Sequence, residues 1–507
     1  MGEPDSLILS NRRKQQICFI LFGLALLLRV VILSSSTESI ADGLTRTIQA
    51  NVWSNSPRWL NSGGWLPGYL YVTGIFSFFI DNPWISLRIF NALVGSLTVS
   101  IYFLLLLRIY GAEVALISSS LLLFLPIHIG LSATSLTEVS FLLALVSGML
   151  LLTKAADTKL GSTERLVYLL LACLVTIYAT MSRYEAWVIL FVFPVYYGWR
   201  SKHILGTLII ALCILIFPLY WMINNYLDYE DILPFFRYAT KADSDVGVNA
   251  FWAIAILFQR LIRQITPILF VLLGIGLIRE FNQQLRSIRN KVKNKEKSLY
   301  LIILIVFWTF MGIFTISRGE SIRDRFLLPG IALGLPYCYL ALDYFKAQFS
   351  RKSLQVLLYS CALVLILYSP GLSLVGVQSP NQLNPSIAQM KNISRWIENS
   401  PYNNAGVIMT EMNWSSLLIA LEVPEVRDNF EVIYHESQQC LTNNLDISDG
   451  LLVITYNSGK DQRLKQIIEA ELGVQLNEDL LIHQAGLINL YAIANHIPSK
   501  SQLTECK

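Results

Sequence analysis

Repeated apolar runs constrain this chain more than any other feature of its sequence. Of its 507 residues, 54% are hydrophobic and only 15% are charged, a composition far from that of a soluble globular protein. Several runs approach the roughly 20 apolar residues that a helix needs to cross a bilayer. The sequence therefore predicts a polytopic α-helical membrane protein.

Hydropathy predicts about eleven membrane helices. They lie near residues 17–33, 86–107, 112–128, 136–153, 165–182, 184–200, 203–223, 263–279, 299–317, 326–343 and 354–377. Two further apolar pieces, Trp65–Ile80 and Phe251–Leu261, are too short or too interrupted to cross, and we expect them to lie along the membrane surface. The first run follows Arg12, Arg13 and Lys14 but lacks a convincing small-residue cleavage site, so we expect a retained helix rather than a signal peptide.

Lysine and arginine residues predict the orientation of the chain. If the N-terminus is cytoplasmic, the inner segments contain more of these residues than the outer segments, as the positive-inside rule requires. The basic cluster from Arg279 to Lys297 decides the comparison. An odd number of spans then places the C-terminus on the extracytoplasmic side.

The composition changes after about Val377. Pro380 and Pro385 mark a boundary, and the rest of the chain is polar enough to form a soluble domain. We therefore divide the chain into a membrane domain over residues 1–377 and an extracytoplasmic domain over residues 378–507.

The C-terminal part alternates between two hydrophobic periodicities. Helical spacing occurs over residues 386–398 and 461–472, and β-like apolar runs occur at Gly406–Met409 and Gly450–Tyr456. Strands that alternate with helices predict a small α/β layer domain.

The first polar segment after the first membrane helix contains a candidate site. Residues 34–85 form an enlarged outer loop, in which Asp42 lies just beyond the membrane face. Aromatic residues that favour the level of the lipid headgroups follow it, among them Trp65 and Tyr69. A lone carboxylate beside such a segment suits a reaction site, and an ordinary solvated aspartate is the alternative.

Charged residues at the ends of the predicted helices cluster on the outer side. Such residues are costly near a membrane and usually mark function. The group consists of Asp42, Glu138, Arg183, Glu185, Arg318, Glu320, Arg323, Asp324 and Arg325, together with Arg260 and Arg263 from the second surface helix. Any single member could be a snorkelling or turn residue. Together they suit a site for an anionic, membrane-anchored substrate.

Other kinds of site have little support in the sequence. The seven cysteines are scattered and form no CxxC or metal-ligand spacing. His128 stands apart from other ligand types, and we interpret it as a packed helix-end histidine. No metal site is assigned, and the need for a divalent metal stays open. The net charge of +4 is too small to indicate nucleic acid binding.

Several stretches resemble the GT-C glycosyltransferases, in particular the branch that contains the protein O-mannosyltransferases and the lipid A aminoarabinose transferases. They are Ala41–Gly43, WLPGYLYVTG (65–74), RIFNALVGSLTVSIYFLLLLRIYG (88–111), LPIHIGLSATSLTE (125–138), SRYEAW (182–187) and RDRFLLPGIALGLP (323–336). The resemblance covers roughly residues 15–345. It implies many membrane helices, an enlarged first outer loop, and transfer of a sugar from a polyprenyl-phosphate donor on the extracytoplasmic side.

The resemblance also implies roles for individual residues. Asp42 falls where the family places its first-loop catalytic carboxylate, and Glu138 falls at the acidic position of the second outer loop. Arg325 resembles an arginine of the family's RYLLP-like pattern. Relatives often have Asp-Glu in the first loop, whereas Gly43 follows Asp42 here, which weakens a metal-binding interpretation of that loop.

The expected chemistry follows from these roles. A carboxylate base takes the proton of an acceptor hydroxyl, on a lipid, a glycan or a protein, and the transfer inverts the anomeric centre. The outer arginines, together with Glu185, Trp65 and Tyr69, bind the donor and its phosphate. The sugar, the acceptor, the polyprenol length and the oligomeric state are not specified by these residues.

Two other function classes stay open. The first is a lipid or solute transporter, such as a flippase, with a charged outer vestibule; transporters usually show internal repeats, and this chain has no obvious two-fold hydropathy symmetry. The second places the chemistry in the C-terminal domain, where Glu411, His435 and Asp446 share no recognisable spacing.

Overall fold

The protein consists mainly of helices, with a small sheet near its C-terminus. The computed structural model describes residues 10–35, 41–80, 82–234, 250–289, 295–318, 323–345, 356, 360, 396, 407–410, 451–456, 481–485 and 488–493. Contacts between residues divide the chain into two compact units. The first unit comprises residues 1–38, 52–79 and 87–377, and the second comprises residues 39–51, 80–86 and 378–507.

The described helices follow one another with short connections. They are α1 (Asn11–Ser35), α2 (Ala41–Asn55), α3 (Gly68–Ser77), α4 (Pro83–Ile109), α5 (Ala112–Phe124), α6 (Pro126–Ser132), α7 (Glu138–Asp157), α8 (Thr163–Ser182), α9 (Tyr184–Ile189), α10 (Val192–Ser201), α11 (Ile204–Tyr229), α12 (Ala250–Ile265), α13 (Pro267–Arg289), α14 (Lys295–Arg318) and α15 (Leu328–Phe345). A 3₁₀ helix at Asp324–Leu327 leads directly into α15.

The predicted fold class is confirmed: the chain is a multi-pass integral membrane protein. In the described part of the chain, eight helices are long and apolar enough to cross a bilayer, and the bent pair α5–α6 makes up to nine. These nine correspond to nine of the eleven predicted spans. The predicted span at 354–377 lies almost entirely outside the described residues, so the count of eleven stays a prediction.

The helix predicted at 112–128 is broken at Pro126, which the hydropathy pattern did not reveal. Helices α5 and α6 meet there at an angle of 59°. Leu125 has an extended backbone, with φ −68° and ψ 117°, because the ring of a following proline disfavours the helical conformation. The chain therefore changes direction between α5 and α6, ahead of Glu138.

The span predicted at 184–200 is two short helices rather than one. Helix α9 ends at Ile189 and α10 begins at Val192. Just before Pro194, the Phe193 nitrogen donates to the Leu190 carbonyl, three residues back, at 2.9 Å. Proline cannot donate the next bond of the helical ladder, which explains the tightened turn.

Helices occupy both pieces that we expect along the membrane surface. Helix α3 lies within Trp65–Ile80, and α12 covers Phe251–Leu261. Their position at the interface stays a prediction. The predicted outer loop 34–85 also contains α2, a helix that our sequence analysis missed.

Four strands form one mixed sheet in the second unit. The strands are β1 (Val407–Thr410), β2 (Leu451–Tyr456), β3 (Leu481–Ala485) and β4 (Ile488–Ile493), in the order β1-β2-β4-β3. β1 and β2 pair in parallel, and β4 pairs antiparallel with β2 and with β3. The two predicted β-like runs are therefore strands. The helices predicted at 386–398 and 461–472 lie outside the described residues, apart from residue 396, so the α/β class of this part stays a prediction.

Candidate active site

Glu138 is a carboxylate buried at the first residue of α7. Its side chain is 3% exposed, although glutamate is almost never fully buried unless it is paired. The positive end of the helix dipole favours an acidic residue in this first turn. Ion pairs with two arginines from distant parts of the chain offset the cost of burying this side chain.

Arg183, at the junction of α8 and α9, is the first of these arginines. Its Nη1 lies 2.7 Å from a carboxylate oxygen of Glu138 and 3.1 Å from the hydroxyl of Thr137. Its Nε and Nη2 donate to the two carboxylate oxygens of Glu185, at 3.0 and 2.5 Å. All three guanidinium nitrogens thus have protein acceptors, so Arg183 holds two carboxylates in fixed positions.

The charge of Arg183 is stabilised in spite of its burial. Burial disfavours the guanidinium cation, but the carboxylates of Glu185 and Glu138 outweigh that cost and raise the pKa of Arg183 above its ordinary value. Arg183 therefore carries its charge at any physiological pH.

Arg325 is the second arginine on Glu138. It lies in the 3₁₀ helix before α15, and its Nε is 3.4 Å from the Glu138 oxygen that Arg183 contacts. The ring of Phe326 lies under both guanidinium groups, 4.9 Å from that of Arg183 and 5.2 Å from that of Arg325. We call Glu138, Arg183, Glu185 and Arg325 the Glu138 cluster.

A second cluster surrounds the neighbouring residue, Asp324, which is also buried. Arg263 forms an ion pair with one of its oxygens, and the Nε2 of Gln264 donates to the same oxygen at 2.7 Å. Arg260 lies 3.5 Å from the other oxygen. We call these four residues the Asp324 cluster. The side chain of Arg263 is 56% exposed, so part of its fork can still reach an anion from outside.

The segment that leads into Glu138 is held by polar side chains of α4. The Nδ2 of Asn91 lies 2.6 Å from the Thr134 carbonyl, 2.7 Å from the Leu136 carbonyl and 3.0 Å from the Tyr69 hydroxyl. The Nε of Arg88 donates to the Ala133 carbonyl at 2.8 Å. Two adjacent turns of α4 thus fix the backbone just ahead of the candidate catalytic carboxylate.

A buried arginine–histidine pair supports the helix before that segment. The Nη2 of Arg29, in α1, lies 2.8 Å from the Nδ1 of His128, in α6. Both residues are fully buried, which confirms His128 as a packed histidine. In the described part of the chain no group of three or more histidine, cysteine or acidic residues converges on a point that could hold a metal ion.

The structure places the other predicted site residues individually. Asp42 is the second residue of α2 and is half-buried; it belongs to the second unit, whereas the Glu138 and Asp324 clusters belong to the first. Trp65 is half-buried, Tyr69 is buried against Asn91, and Arg323 is exposed. The side chain of Arg318 and all of Glu320 lie outside the described residues.

Four residues of this region were not predicted as site residues from the sequence: Arg88, Asn91, Gln264 and Phe326. A signal was present for two of them. Arg88 and Asn91 are polar residues three apart in the apolar run 86–107, and polar residues in membrane helices usually serve a function.

Known proteins with this architecture share the arrangement of helices. The structure matches the crystal structure of ArnT from Cupriavidus metallidurans bound to undecaprenyl phosphate, with a TM-score of 0.59 at 14% identity, over 95% of this chain and 98% of that one. The chain has the GT-C glycosyltransferase fold. The resemblance inferred from the sequence motifs is thereby confirmed.

Other comparisons agree with this fold. The archaeal oligosaccharyltransferase AglB from Archaeoglobus fulgidus, in complex with an inhibitory peptide and a dolichol-phosphate, matches with a TM-score of 0.55 at 13% identity, over 96% of this chain and 75% of that one. The dolichyl-phosphate-mannose-protein mannosyltransferase family matches residues 60–226, less than half of the chain. No curated protein matches the sequence.

Proposed function

We propose that this protein is a membrane glycosyltransferase that moves a sugar from a polyprenyl-phosphate donor to an acceptor hydroxyl on the extracytoplasmic side. The observation that carries the proposal is the buried Glu138 cluster, in which two arginines meet one carboxylate at the end of a membrane helix. In proteins of the same fold, ArnT was seen bound to undecaprenyl phosphate and AglB in complex with a dolichol-phosphate. A lipid-linked phosphate is the donor chemistry that such arginines suit.

The proposed reaction is a single inverting displacement. The acceptor oxygen attacks the anomeric carbon as its proton passes to a carboxylate, for which Asp42 is the candidate. The bond between the anomeric carbon and the phosphate oxygen breaks, and its electron pair stays on the lipid phosphate. A positioned carboxylate base typically contributes a factor of 10²–10⁴.

The arginines have different parts in this proposal. The nitrogens of Arg183 are all engaged with protein groups, so Arg183 orients Glu138 and Glu185. Arg325, with Arg260 and Arg263 of the Asp324 cluster, is the candidate for binding the donor phosphate, whose negative charge grows as the sugar leaves. Because Asp324 and Arg325 are consecutive, a phosphate bound by one cluster also changes the electrostatic potential at the other.

Glu138 then serves as the anchor of the site. A carboxylate shared by two arginines holds both guanidinium groups in place before the donor arrives. Such preorganisation removes a reorganisation cost from the reaction step. We therefore assign Glu138 to alignment of the arginines and Asp42 to proton transfer.

Lipids that co-purify with the protein test this function directly. We would isolate the wild-type chain and Asp42→Asn from membranes into nanodiscs and identify bound lipids by mass spectrometry. The wild type should carry polyprenyl phosphate, the product, and Asp42→Asn should be enriched in the sugar-loaded donor because transfer is blocked. Absence of both lipids from both proteins would contradict the proposed function.

A further inference from the structure

The connection between α2 and α3 presents an aromatic surface that the proposed reaction does not use. Trp59 is 57% exposed. Its ring centroid lies 5.2 Å from that of Tyr71 and 6.2 Å from that of Tyr220, which is in α11. Trp53 continues the array, with its ring 5.4 Å from Tyr71. We call Trp53, Trp59, Tyr71 and Tyr220 the aromatic platform.

The polar atoms of the platform are hydrogen-bonded to other protein groups. The indole N–H of Trp59 donates to the Tyr220 hydroxyl at 2.7 Å, and that hydroxyl donates to Asn61 Oδ1 at 2.8 Å. The Tyr71 hydroxyl accepts from the Leu60 nitrogen at 2.7 Å. A tryptophan that anchors a protein at a lipid interface keeps its polar edge toward the headgroups. In Trp59 the indole N–H is instead bonded to Tyr220, while the residue as a whole is 57% exposed.

Hydrogen bonds connect the platform to α11, and polar side chains lie at its edge. Ser62 donates to the carboxylate of Asp228, and the Gly63 nitrogen donates to Asn225 Oδ1 at 2.8 Å. These bonds attach the connection to the last turns of α11. Asn61 and Asp228 are both exposed, so an amide and a carboxylate lie beside an exposed ring.

The platform is continuous with the candidate active site. The Tyr184 hydroxyl donates to the Gly64 carbonyl at 3.1 Å, and Tyr184 directly follows Arg183 of the Glu138 cluster. Leu66 packs with Trp221 in a small core, against which Tyr184 and Tyr220 also lie. Trp59 is therefore linked to Arg183 through a series of packed residues that includes Tyr220 and Tyr184.

We propose that Trp59, with Asn61 and Asp228 at its edge, binds a sugar ring of the acceptor. The inference rests on the proposed function and narrows its acceptor to one that carries carbohydrate. A sugar ring has an apolar C–H face that stacks on an aromatic ring, and hydroxyl groups at its edge that both donate and accept. The indole face meets the first requirement, and the amide and carboxylate meet the second.

A glycan array tests this site without requiring turnover. The probe is a printed panel of mannose-, glucose-, galactose- and N-acetylglucosamine-containing glycans, exposed to protein in nanodiscs of phosphatidylcholine and phosphatidylglycerol that contain no glycolipid. We expect the wild type to bind at least one of these classes. Trp59→Ala should weaken that binding tenfold or more, and Trp59→Phe, which keeps a ring, should weaken it less.

Trp252→Ala is the matched control, because Trp252 is 59% exposed and lies on α12, away from the platform in the sequence. It should bind glycans as the wild type does. Wild-type protein that binds no glycan, or Trp59→Ala that binds as well as Trp252→Ala, would overturn the proposal.

The co-purified lipids separate this result from the proposed function. If the wild type retains polyprenyl phosphate but binds no glycan, the platform assignment is wrong and the donor chemistry stands. If it retains no polyprenyl phosphate, the proposed function itself fails. Trp59→Ala should retain the lipid, because no residue of the platform belongs to either arginine cluster.

Discussion

A nitrogen of the Arg183 guanidinium lies 2.7 Å from a carboxylate oxygen of Glu138, and the two side chains are only 9% and 3% exposed. Glu138 is the first residue of α7, and Arg183 lies between α8 and α9. Arg325 reaches the same carboxylate from a third segment. This carboxylate therefore links three parts of the chain at one point.

Glu138→Gln should destabilise the protein as well as inactivate it. Removal of one partner of a buried ion pair leaves buried charge behind and typically costs about 3–5 kcal/mol in the free energy of unfolding. Thermal unfolding in detergent, followed by tryptophan fluorescence, measures the change. The control is Glu164→Gln, an exposed carboxylate that accepts from Tyr168, which should change stability by less than about 0.5 kcal/mol. Equal melting temperatures for the two variants would contradict the anchoring role.

Asn91→Ala should loosen the segment that leads into Glu138. The substitution leaves the buried Thr134 and Leu136 carbonyls without their shared donor, a loss of about 1–3 kcal/mol. Asn91→Asp should be at least as damaging, because a carboxylate would face two carbonyl oxygens. Hydrogen exchange of residues 133–137 should rise in both variants. Ser96→Ala, which removes a hydroxyl bonded to the Ala92 carbonyl of its own helix, should leave that exchange unchanged.

Arg325→Ala should weaken donor binding and slow turnover together. The contact with phosphate exists in the ground state and strengthens as the sugar leaves. The donor KM should therefore rise and kcat should fall. Arg325→Lys should recover only part of the activity, because lysine lacks the bidentate fork. Arg200→Ala is the control, since Arg200 pairs with Asp157 instead.

A chelator should have little effect on the same assay, because arginines rather than a metal ion hold the phosphate in this account. Complete loss of activity in chelator that a divalent ion restores would contradict it. Asp42 and Glu138 would then be reassigned as metal ligands.

Protease added from the extracytoplasmic side should cleave the chain after about residue 380. This outcome follows from the cytoplasmic N-terminus and the odd number of spans that the lysine and arginine distribution favours. Right-side-out vesicles with an epitope tag at the C-terminus provide the measurement, and inverted vesicles provide the control. Cleavage only in inverted vesicles would show that the number of spans is even.

Hydropathy predicted most of the membrane helices, because a span is a local property of about twenty consecutive residues. The breaks were less visible. Pro126 and Pro194 both lie where apolar runs are interrupted, and a single proline lowers the mean hydropathy of a run of about twenty residues only slightly. Helix α2 was missed because its sequence is polar and because it lies in the segment 34–85, which we predicted to be a loop.

The candidate site was predicted as a set of residues but not as an arrangement. The clustering of charge at outer helix ends identified Glu138, Arg183 and Arg325, whose spacing along the chain is long. Which arginine meets which carboxylate depends on how distant helices pack, and no periodicity in the sequence specifies that. The division into a cluster around Glu138 and another around Asp324 therefore needed the structure.

The measurement that tests the central claim most directly is sugar transfer by Asp42→Asn. Membranes that contain the wild type or the variant would be incubated with a polyprenyl phosphate carrying a radiolabelled sugar, and label would be followed from the lipid into the acceptor fraction. The account predicts transfer by the wild type and a rate at least about 100-fold lower for Asp42→Asn, with the labelled donor still bound to a folded protein. Transfer at the wild-type rate by Asp42→Asn would contradict it.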